Sequence, residues 1–255
     1  MGRLSILPVK AQTQAAPIEI LLNYPESFED AVWFLRGLLL IVSPDSQASA
    51  CPLSGRNSTY RAVRNCGATS VVTVTARQML FDYAHATAGQ TILIHGAAGN
   101  VGAYAVQLAA QNGLHVTAIA SSADVEYVRS LGAESVVDYQ KERFEETVTG
   151  MDVVLDTVGG DTQQRSLSVL KPGGIIVSVV APVPDVMQKR YGIRAAYFYV
   201  QVTRARLNKI AGLFDGGKLL TRVGTLLPLD QARVAHLMLA GARHKRGKIV
   251  LKTAA

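Results

Sequence analysis

Three glycines, Gly96, Gly99 and Gly102, mark the point where one apolar segment turns into another of different period. The bulky residues 92–94 predict a short buried strand, and from Val101 onward apolar residues recur at helical spacing. Glycine allows unusual backbone angles and lets a ligand approach the main chain. The first turn of a helix carries N–H groups without intrahelical partners and a partial positive charge. The junction therefore predicts an anion site, for which pyrophosphate is a common ligand.

This glycine pattern has two interpretations. In the first, the small residues serve only close packing of a strand against a helix, and the match to G-x-G-x-x-G is imperfect because Ala97 holds the first glycine position. In the second, they form a dinucleotide site. Another strand-like segment, HVTAIA at 115–120, follows the helix at the spacing of a βαβ unit. This context favours dinucleotide binding.

The residues after that second strand predict which dinucleotide is bound. An acidic side chain at the strand end holds the ribose hydroxyls of NAD and repels a 2′-phosphate. Here the segment IASSAD places Ser121 and Ser122 directly after the strand. The sequence therefore favours NADP(H) as the cofactor.

Strands and helices alternate along the rest of the chain. Near-continuous apolar segments that end at glycines predict strands covered on both faces. Strands are predicted at 135–139, 152–160, 175–182 and 195–202, and helices at 124–133, 144–148, 162–174 and 203–219. This order predicts an α/β fold with a doubly wound parallel sheet, whose ligands bind at the carboxyl ends of the strands. The tail is assigned to another layer, with strands at 222–229 and 247–252 around a helix at 230–241.

Composition sets outer limits on fold and partners. The 255 residues, 49% of them hydrophobic and 18% charged, suit one large or two modest globular domains. The net charge of +7 permits an anionic partner. The absence of a basic stripe with interleaved aromatic residues argues against a nucleic-acid binder. The densest basic cluster is interpreted as a solvated loop before the last strand and consists of Arg243, His244, Lys245, Arg246 and Lys248.

Cysteine content and hydropathy bear on location. The two cysteines are Cys51 and Cys66, and no Cys/His group has metal-ligand spacing, which predicts no metal site and a reducing compartment. The most apolar run, residues 31–42, is too short to span a bilayer and contains Arg36. The first residues lack the features of a signal peptide. We therefore expect a cytoplasmic protein without a membrane partner.

Several segments together resemble a known family. They read VTVTARQMLFDYAHATAGQTILIHGAAGNVG, SLGAESVVDY, DVVLDTVGG, LKPGG and HKRGKIVLK. From about Ala68 to Lys252 the chain resembles the zinc-independent medium-chain dehydrogenase/reductases, in the quinone oxidoreductase and zeta-crystallin branch. The resemblance implies NADPH-dependent reduction of a quinone or enone, usually in a homodimer. It also implies a Rossmann domain at 68–220 and, at 221–255, the C-terminal piece of an interrupted GroES-like domain.

The resemblance assigns roles to ten residues, all of them on the cofactor side. It implies that Gly99, Asn100 and Val101 hold the pyrophosphate, and that Ser121 and Tyr139 lie by the adenosine ribose and its phosphate. The residues implied on the nicotinamide side are Thr75, Thr157, Val158, Val180 and Ala181. Taken alone, Ser121 fits a helix cap and Tyr139 an aromatic at the core edge equally well. No matched position is an acid, base or nucleophile, so no catalytic residue is named.

Three features depart from the family pattern. Asp124 stands where relatives that bind the 2′-phosphate often have lysine, which predicts a weak hold on that phosphate, and Arg77 stands where they tend to have Trp. Residues 1–67 lack the family's proline- and glycine-marked strands, and 27–42 favours a helix with Ser27 as its N-cap. We therefore expect 1–67 to be a remnant or replacement of the substrate domain, through a shifted frame, a wrong gene start or a truncation.

The incomplete substrate side leaves three function classes open. The first is an NADPH-dependent oxidoreductase acting on a quinone or an α,β-unsaturated carbonyl. The second is an NADP(H)-binding protein that transfers hydride slowly or not at all, because the nicotinamide pocket lacks its walls. The third, less favoured, is a nonspecific nucleic-acid binder whose affinity collapses at moderate salt.

Overall fold

A six-stranded parallel sheet forms the centre of the computed structural model, which describes residues 40–42, 69–243 and 245–252. Its strands are β2 (Thr91–Ile94), β3 (His115–Ala120), β4 (Ser135–Asp138), β5 (Met151–Asp156), β6 (Leu170–Ser178) and β7 (Arg194–Tyr197). Their spatial order is β4-β3-β2-β5-β6-β7, and every neighbouring pair is parallel. The chain thus moves outward from β2 to β4 and then returns to run outward from β5 to β7. The predicted doubly wound sheet is confirmed.

Helices cover both faces of this sheet. They are α1 (69–77, continued by a π-helical turn at Gln78–Tyr83), α2 (Gly102–Gln111), α3 (Val125–Ser130), α4 (Phe144–Thr147), α5 (Gly160–Ser166), α6 (Asp185–Tyr191) and α7 (Arg204–Asp215). Successive strand side chains point to opposite faces. Ile92 and Ile94 accordingly join the apolar cluster under α1, α2 and α3, whereas Leu93 joins the cluster under α4 and α6. Strands buried on both faces explain the near-continuous apolar segments of the sequence.

A second, three-stranded sheet contains the tail. Its strands are β1 (Leu40–Val42), β9 (Lys248–Lys252) and β8 (Val223–Pro228), in the order β1-β9-β8 with parallel pairing. Helix α8 (Ala232–Leu239) packs Ala235 against Ile249 and Leu251 of β9. The assignment of the tail to another layer is confirmed.

Two predicted helices extend too far. The end of the helix predicted at 27–42 is wrong, because Leu40–Val42 form strand β1 and pair with Val250–Lys252, while residues 27–39 lie outside the described part. The helix predicted at 162–174 ends at Ser166, and Leu170–Gly174 belong to β6. In both places pairing with a neighbouring strand overrides the local preference.

Candidate functional site

A cavity of about 770 Å³ lies at the carboxyl edge of the main sheet. Its walls come from the segments that follow strands β2, β3, β4, β5 and β6, and from Leu220, Arg222 and residues 246–248 of the tail. The cavity spans the point where the strand order reverses between β2 and β5. This is the place where open α/β sheets bind their ligands.

The glycine turn between β2 and α2 bears on both interpretations of the glycine pattern, close packing and dinucleotide binding. Gly96 has φ +61, and a Cβ there would lie 2.5 Å from Thr157 Oγ1, while a Cβ on Gly102 would overlap the Gly96 carbonyl oxygen. These two glycines are therefore needed for packing. Gly99 lines the cavity, and a Cβ there would lie 3.0 Å from the same carbonyl. A side chain at Gly99 would therefore press on the main chain of the turn, beside the cavity.

A fully buried carboxylate, Asp156 at the end of β5, organises the next wall. One oxygen accepts hydrogen bonds from the amides of Val158 (3.0 Å) and Gly159 (2.8 Å). The other accepts from Gln163 Nε2 (3.0 Å) and Ser178 Oγ (2.8 Å). Asp156 thereby fixes the loop after β5 to the residues that follow it in α5 and to the end of β6.

The loop after β6 is held by the same network. Ser178 Oγ accepts from the amides of Val180 (3.1 Å) and Ala181 (3.2 Å), and Gln163 Nε2 also donates to the Ala181 carbonyl (2.8 Å). Thr157 Oγ1 donates to the His95 carbonyl at 2.9 Å, which joins the residues that follow β5 and β2. Side-chain hydrogen bonds thus set the shape of the cavity at the ends of three strands.

His95 is a fully buried imidazole in the cavity wall. Ser166 Oγ donates to the Thr162 carbonyl at 2.7 Å, so His95 Nε2–H donates to Ser166 Oγ, also at 2.7 Å. Its Nδ1 has no hydrogen-bond partner among the described residues, and its ring meets Phe144 edge to face at 4.8 Å. Burial, opposed by the nearby charge of Asp156, lowers the pKa of His95 to about 4. The ring is therefore neutral near pH 7.

An acidic residue that follows the end of β3 forms an ion pair with a basic residue of the tail. Ser121 Oγ donates to Asp124 Oδ2 at 2.6 Å rather than capping a helix, and Asp124 forms an ion pair with Arg246. Arg246 also donates to the Ala123 carbonyl at 3.1 Å. The guanidinium groups of Arg222 and Arg246 lie 5.3 and 5.2 Å from the ring centroid of Tyr127. The strand end thus has an acidic residue beside it, but one paired with Arg246.

The tail approaches the first turns of α2 through three hydrogen bonds. Tyr104 Oη donates to Thr221 Oγ1 at 3.0 Å, and burial raises the pKa of this phenol. Gln107 accepts from the Leu220 amide at 2.7 Å and donates to its carbonyl at 3.2 Å. The beginning of β8 is therefore fixed beside the glycine turn.

The interpretation of the basic cluster as a solvated loop is wrong for two of its members. Lys248 is only 4% exposed, and Arg246 is partly buried against Tyr127; both line the cavity. Arg243 and Lys245 are exposed, as predicted, and His244 lies outside the described residues. The tail folds back over the carboxyl edge of the main sheet, and this contact depends on residues more than 100 positions apart.

The structure brings together eight of the ten cofactor residues that the sequence nominated. The cavity is lined by Gly99, Asn100, Val101, Ser121, Tyr139, Thr157, Val158 and Val180. Thr75 and Ala181 are not part of its wall. Thr75 is buried in α1 and donates its hydroxyl to the Val71 carbonyl at 2.8 Å, while Ala181 meets Gln163 through its carbonyl. Tyr139 is 60% exposed at the cavity rim, so it is not an aromatic of the core.

Several wall residues were not nominated from the sequence. They are His95, Tyr104, Tyr127, Phe144, Arg165, Arg222, Arg246 and Lys248. His95 follows a strand directly, as ligand-binding residues often do, and this signal could have found it. The tail cations carry no such signal, because a cation in a polar segment usually stays in solvent.

Metal and membrane features were also sought in the described residues. In that part of the chain no three His, Cys, Asp or Glu side chains are grouped so that they could hold a metal ion. None of the helices described there is both long and apolar enough to cross a membrane.

Comparisons with known proteins agree with this geometry. A family model described as zinc-binding dehydrogenase matches residues 131–251. The NAD(P)H oxidoreductase RTN4IP1, mitochondrial, of Mus musculus is 32% identical over 190 residues, covering 64% of this chain and 48% of that protein. The NADPH-dependent alkenal/one oxidoreductase, chloroplastic, of Arabidopsis thaliana is 33% identical over 168 residues, covering 65% and 41%. The chain thus spans less than half the length of these two relatives.

A solved structure shares the fold over the same region. The quinone oxidoreductase from Coxiella burnetii has a TM-score of 0.65 and 32% identity, covering 74% of this chain and 60% of that one. The similarity in sequence therefore extends to the arrangement of the strands and helices.

Proposed function

The chain belongs to the medium-chain dehydrogenase/reductase family, in its quinone oxidoreductase branch, and on this premise we propose that it binds NADPH and reduces a quinone or an α,β-unsaturated carbonyl. One observation carries the proposal: eight of ten nominated cofactor residues, drawn from five separate segments, line one cavity at the switch point of the sheet.

The residues in the wall fit a dinucleotide. Gly99, Asn100 and Val101 line the cavity directly before α2, at the positive end of the helix dipole, which suits a pyrophosphate. In the proposed complex Ser121 and Tyr139, both in the cavity wall, contact the adenosine. In the same proposed complex Thr157, Val158 and Val180 contact the nicotinamide, and the loops that carry them are held by Asp156 and Ser178. Bound NADPH supplies the hydride, and these residues orient its ring and exclude water.

We propose that NADPH is preferred to NADH because of Arg246. Asp124 by itself would repel a 2′-phosphate, but its ion pair with Arg246 offsets the negative charge at the end of β3. Arg222, stacked against the same Tyr127 ring, adds a second cation to this part of the wall. The local charge is therefore positive where the sequence alone suggested a weak hold on the phosphate.

The proposed chemistry requires positioning more than acid–base catalysis. Orienting two reactants can lower a barrier by about 7–11 kcal/mol in favourable cases. His95 is neutral and engaged with Ser166, and we assign it no proton-transfer step.

A binding titration tests the proposal directly. We expect the full chain to enhance the fluorescence of NADPH on binding. Gly99→Val should weaken this binding by at least about tenfold, because it adds a bulky side chain to the cavity-lining turn proposed to hold the pyrophosphate. Gly212→Val, on the exposed face of α7 with nothing within 4 Å of its Cβ, is the matched control. Equal binding by Gly99→Val and wild type places the cofactor elsewhere and overturns the proposal.

Turnover is tested separately with a substrate panel. NADPH oxidation is followed with 1,4-benzoquinone, 9,10-phenanthrenequinone and a simple enone. Rates of about 1–1000 per second are those of an ordinary enzyme. NADPH binding without oxidation by any of these acceptors would support the cofactor-binding function and contradict the reductase function.

A further inference from the structure

Two arginines from different helices share one carboxylate on the face of the main sheet that α1 and α7 cover. Arg77 Nη1 lies 3.3 Å from Asp82 Oδ1, and Arg206 Nη2 lies 3.0 Å from Asp82 Oδ2. Among the described residues no other acid pairs with either guanidinium group. One carboxylate therefore meets two cations, and the cluster formed by Arg77, Asp82 and Arg206 carries one positive charge in excess.

The π-helical turn at the end of α1 produces this arrangement. Neighbours on the surface of an α-helix are three or four residues apart, so residues five apart lie on different faces. In the turn Gln78–Tyr83 the hydrogen bonds join residues five apart, as between the Ala84 amide and the Met79 carbonyl at 3.0 Å. Asp82 thereby comes beside Arg77. Turns of this kind are frequent at functional sites.

The packing of the two helices positions the second guanidinium group. Val74 of α1 belongs to the same buried cluster as Ile210 of α7, which fixes the helices side by side. Arg206 Nη1 also donates to the Gln201 carbonyl at 3.2 Å, and the Gln201 amide donates to Gln78 Oε1 at 3.1 Å. The Arg206 side chain is therefore held in place without a ligand.

The cluster is partly buried and still open to a further anion. The side chains of Arg77, Asp82 and Arg206 are 22%, 30% and 26% exposed. The Arg77 guanidinium also lies 5.6 Å from the ring centroid of Phe81, at the distance of a cation–π contact. Salt screens partly buried charges less than exposed ones. Each guanidinium group has five N–H donors, more than its described partners accept, so donors remain for a ligand.

The cluster lies along the same edge of the sheet as the cavity but outside its wall. Strand β7 is the neighbour of β6, and Val180 in the cavity wall follows β6. The segment after β7 contains Gln201 and leads into α7, where Arg206 lies in the first turn. In the proposed complex Val180 contacts the nicotinamide. The cluster is therefore on the nicotinamide side of the site and away from the adenosine side.

We propose that Arg77 and Arg206 bind a carboxylate or phosphate group of the hydride acceptor, so that the substrate is an anionic enone or quinone. This rests on the proposed function, since it assumes reduction by NADPH bound in the cavity. Guanidinium groups bind both kinds of anion through paired hydrogen bonds. The substrate anion balances the excess charge, while Asp82 keeps the two guanidinium groups aligned. A structural role needs only one of the arginines, because one guanidinium group already balances the charge of Asp82.

Substrate preference is measured with 7-oxooct-5-enoate, an enone with a terminal carboxylate, and with its methyl ester. NADPH oxidation gives kcat/KM for each, and the ratio isolates the carboxylate because the reacting groups are identical. We expect the wild type to prefer the carboxylate by about tenfold or more, mainly through KM. Arg77→Gln and Arg206→Gln should each lose most of this preference. Arg204→Gln is the matched control, because Arg204 is exposed in the same turn of α7 and does not pair with Asp82.

Thermal stability in inorganic phosphate gives a readout that needs no turnover. Tm is measured in sodium phosphate and in sodium chloride of equal ionic strength. Phosphate should raise the Tm of the wild type and of Arg204→Gln by more than that of Arg77→Gln or Arg206→Gln, because a ligand stabilises only the protein that binds it. Phosphate bound in the cavity contributes equally to all four proteins and cancels in this comparison.

Two results overturn the inference. One is an equal rise of Tm in all four proteins, and the other is a kcat/KM ratio that both glutamine variants leave unchanged. A structural role alone lowers the Tm of these variants in chloride but changes neither of these two comparisons. If the wild type oxidises NADPH with neither compound, the proposed function fails, whereas the Tm comparison still tests the anion site.

Discussion

Replacing Asp156 by asparagine should both destabilise the protein and loosen the cofactor site. The carboxylate is fully buried and accepts four hydrogen bonds, two on each oxygen. Asparagine has the same shape but only one acceptor oxygen. If that oxygen faces the amides of Val158 and Gly159, the new NH2 group faces Gln163 Nε2 and Ser178 Oγ, and both are donors in the wild type.

Neither of these donors can easily reverse its role. Ser178 Oγ already accepts from the amides of Val180 and Ala181, and Gln163 Nε2 also donates to the Ala181 carbonyl. A buried polar group left unsatisfied costs about 1–3 kcal/mol. Because the substitution removes two such hydrogen bonds, the free energy of unfolding should fall by roughly 2–6 kcal/mol, with about 3 kcal/mol as the central expectation.

Urea unfolding followed by far-UV circular dichroism measures this loss. Asp161→Asn is the matched control, because that carboxylate is 80% exposed and pairs only with Arg165 among the described residues; its loss should stay below about 0.5 kcal/mol. The NADPH Kd of Asp156→Asn should rise, since the loops after β5 and β6 lose their anchor. A free energy of unfolding within about 0.5 kcal/mol of the wild type, with unchanged NADPH affinity, would refute the claim that this network shapes the site.

Three further substitutions test the charges around the cavity. Ser121→Asp adds an anion on the adenosine side and should shift the ratio of the NADPH and NADH Kd values toward NADH by roughly tenfold; an unchanged ratio means that the ribose pocket is misassigned. Asp124→Asn frees Arg246 and should strengthen NADPH binding by about three- to tenfold, with little change for NADH, and weaker NADPH binding contradicts the proposed charge balance. The pKa of His95 is about 4 in the folded protein and 6.5 in the unfolded chain, so the unfolded chain binds the proton first as the pH falls. Protonation therefore favours the unfolded state, and the free energy of unfolding should decrease by up to about 3 kcal/mol between pH 6.5 and 4. Urea unfolding at several pH values measures this effect. His95→Gln should remove that part of the pH dependence, whereas the control His115→Gln, at an exposed imidazole, should retain it.

The main sheet and its glycine turn could be predicted from the sequence because the causes are local. Apolar runs such as 92–94, short enough for strands and bounded by turn residues, predict buried strands, and their alternation with helices leaves few topologies. The residues nominated after the strands lie together for the same reason, since parallel strands end at one edge. Thr75 was nominated by resemblance alone, and the structure places it in α1, away from the cavity wall.

Contacts between segments distant in sequence decided features that the local sequence pattern could not predict. Leu40–Val42 form a strand because β9 offers an edge to pair with, although their sequence neighbourhood favours a helix. Asp124 is an acid at the end of β3, yet its effect on a phosphate depends on Arg246, which lies more than 100 residues later in the chain. Lys248 is a basic residue in a polar segment, and only the packing of β8 against β9 buries it in the cavity. The sequence thus determined which groups carry charge, and the fold determined which charges face the cavity, because burial and pairing depend on neighbours that are distant in sequence.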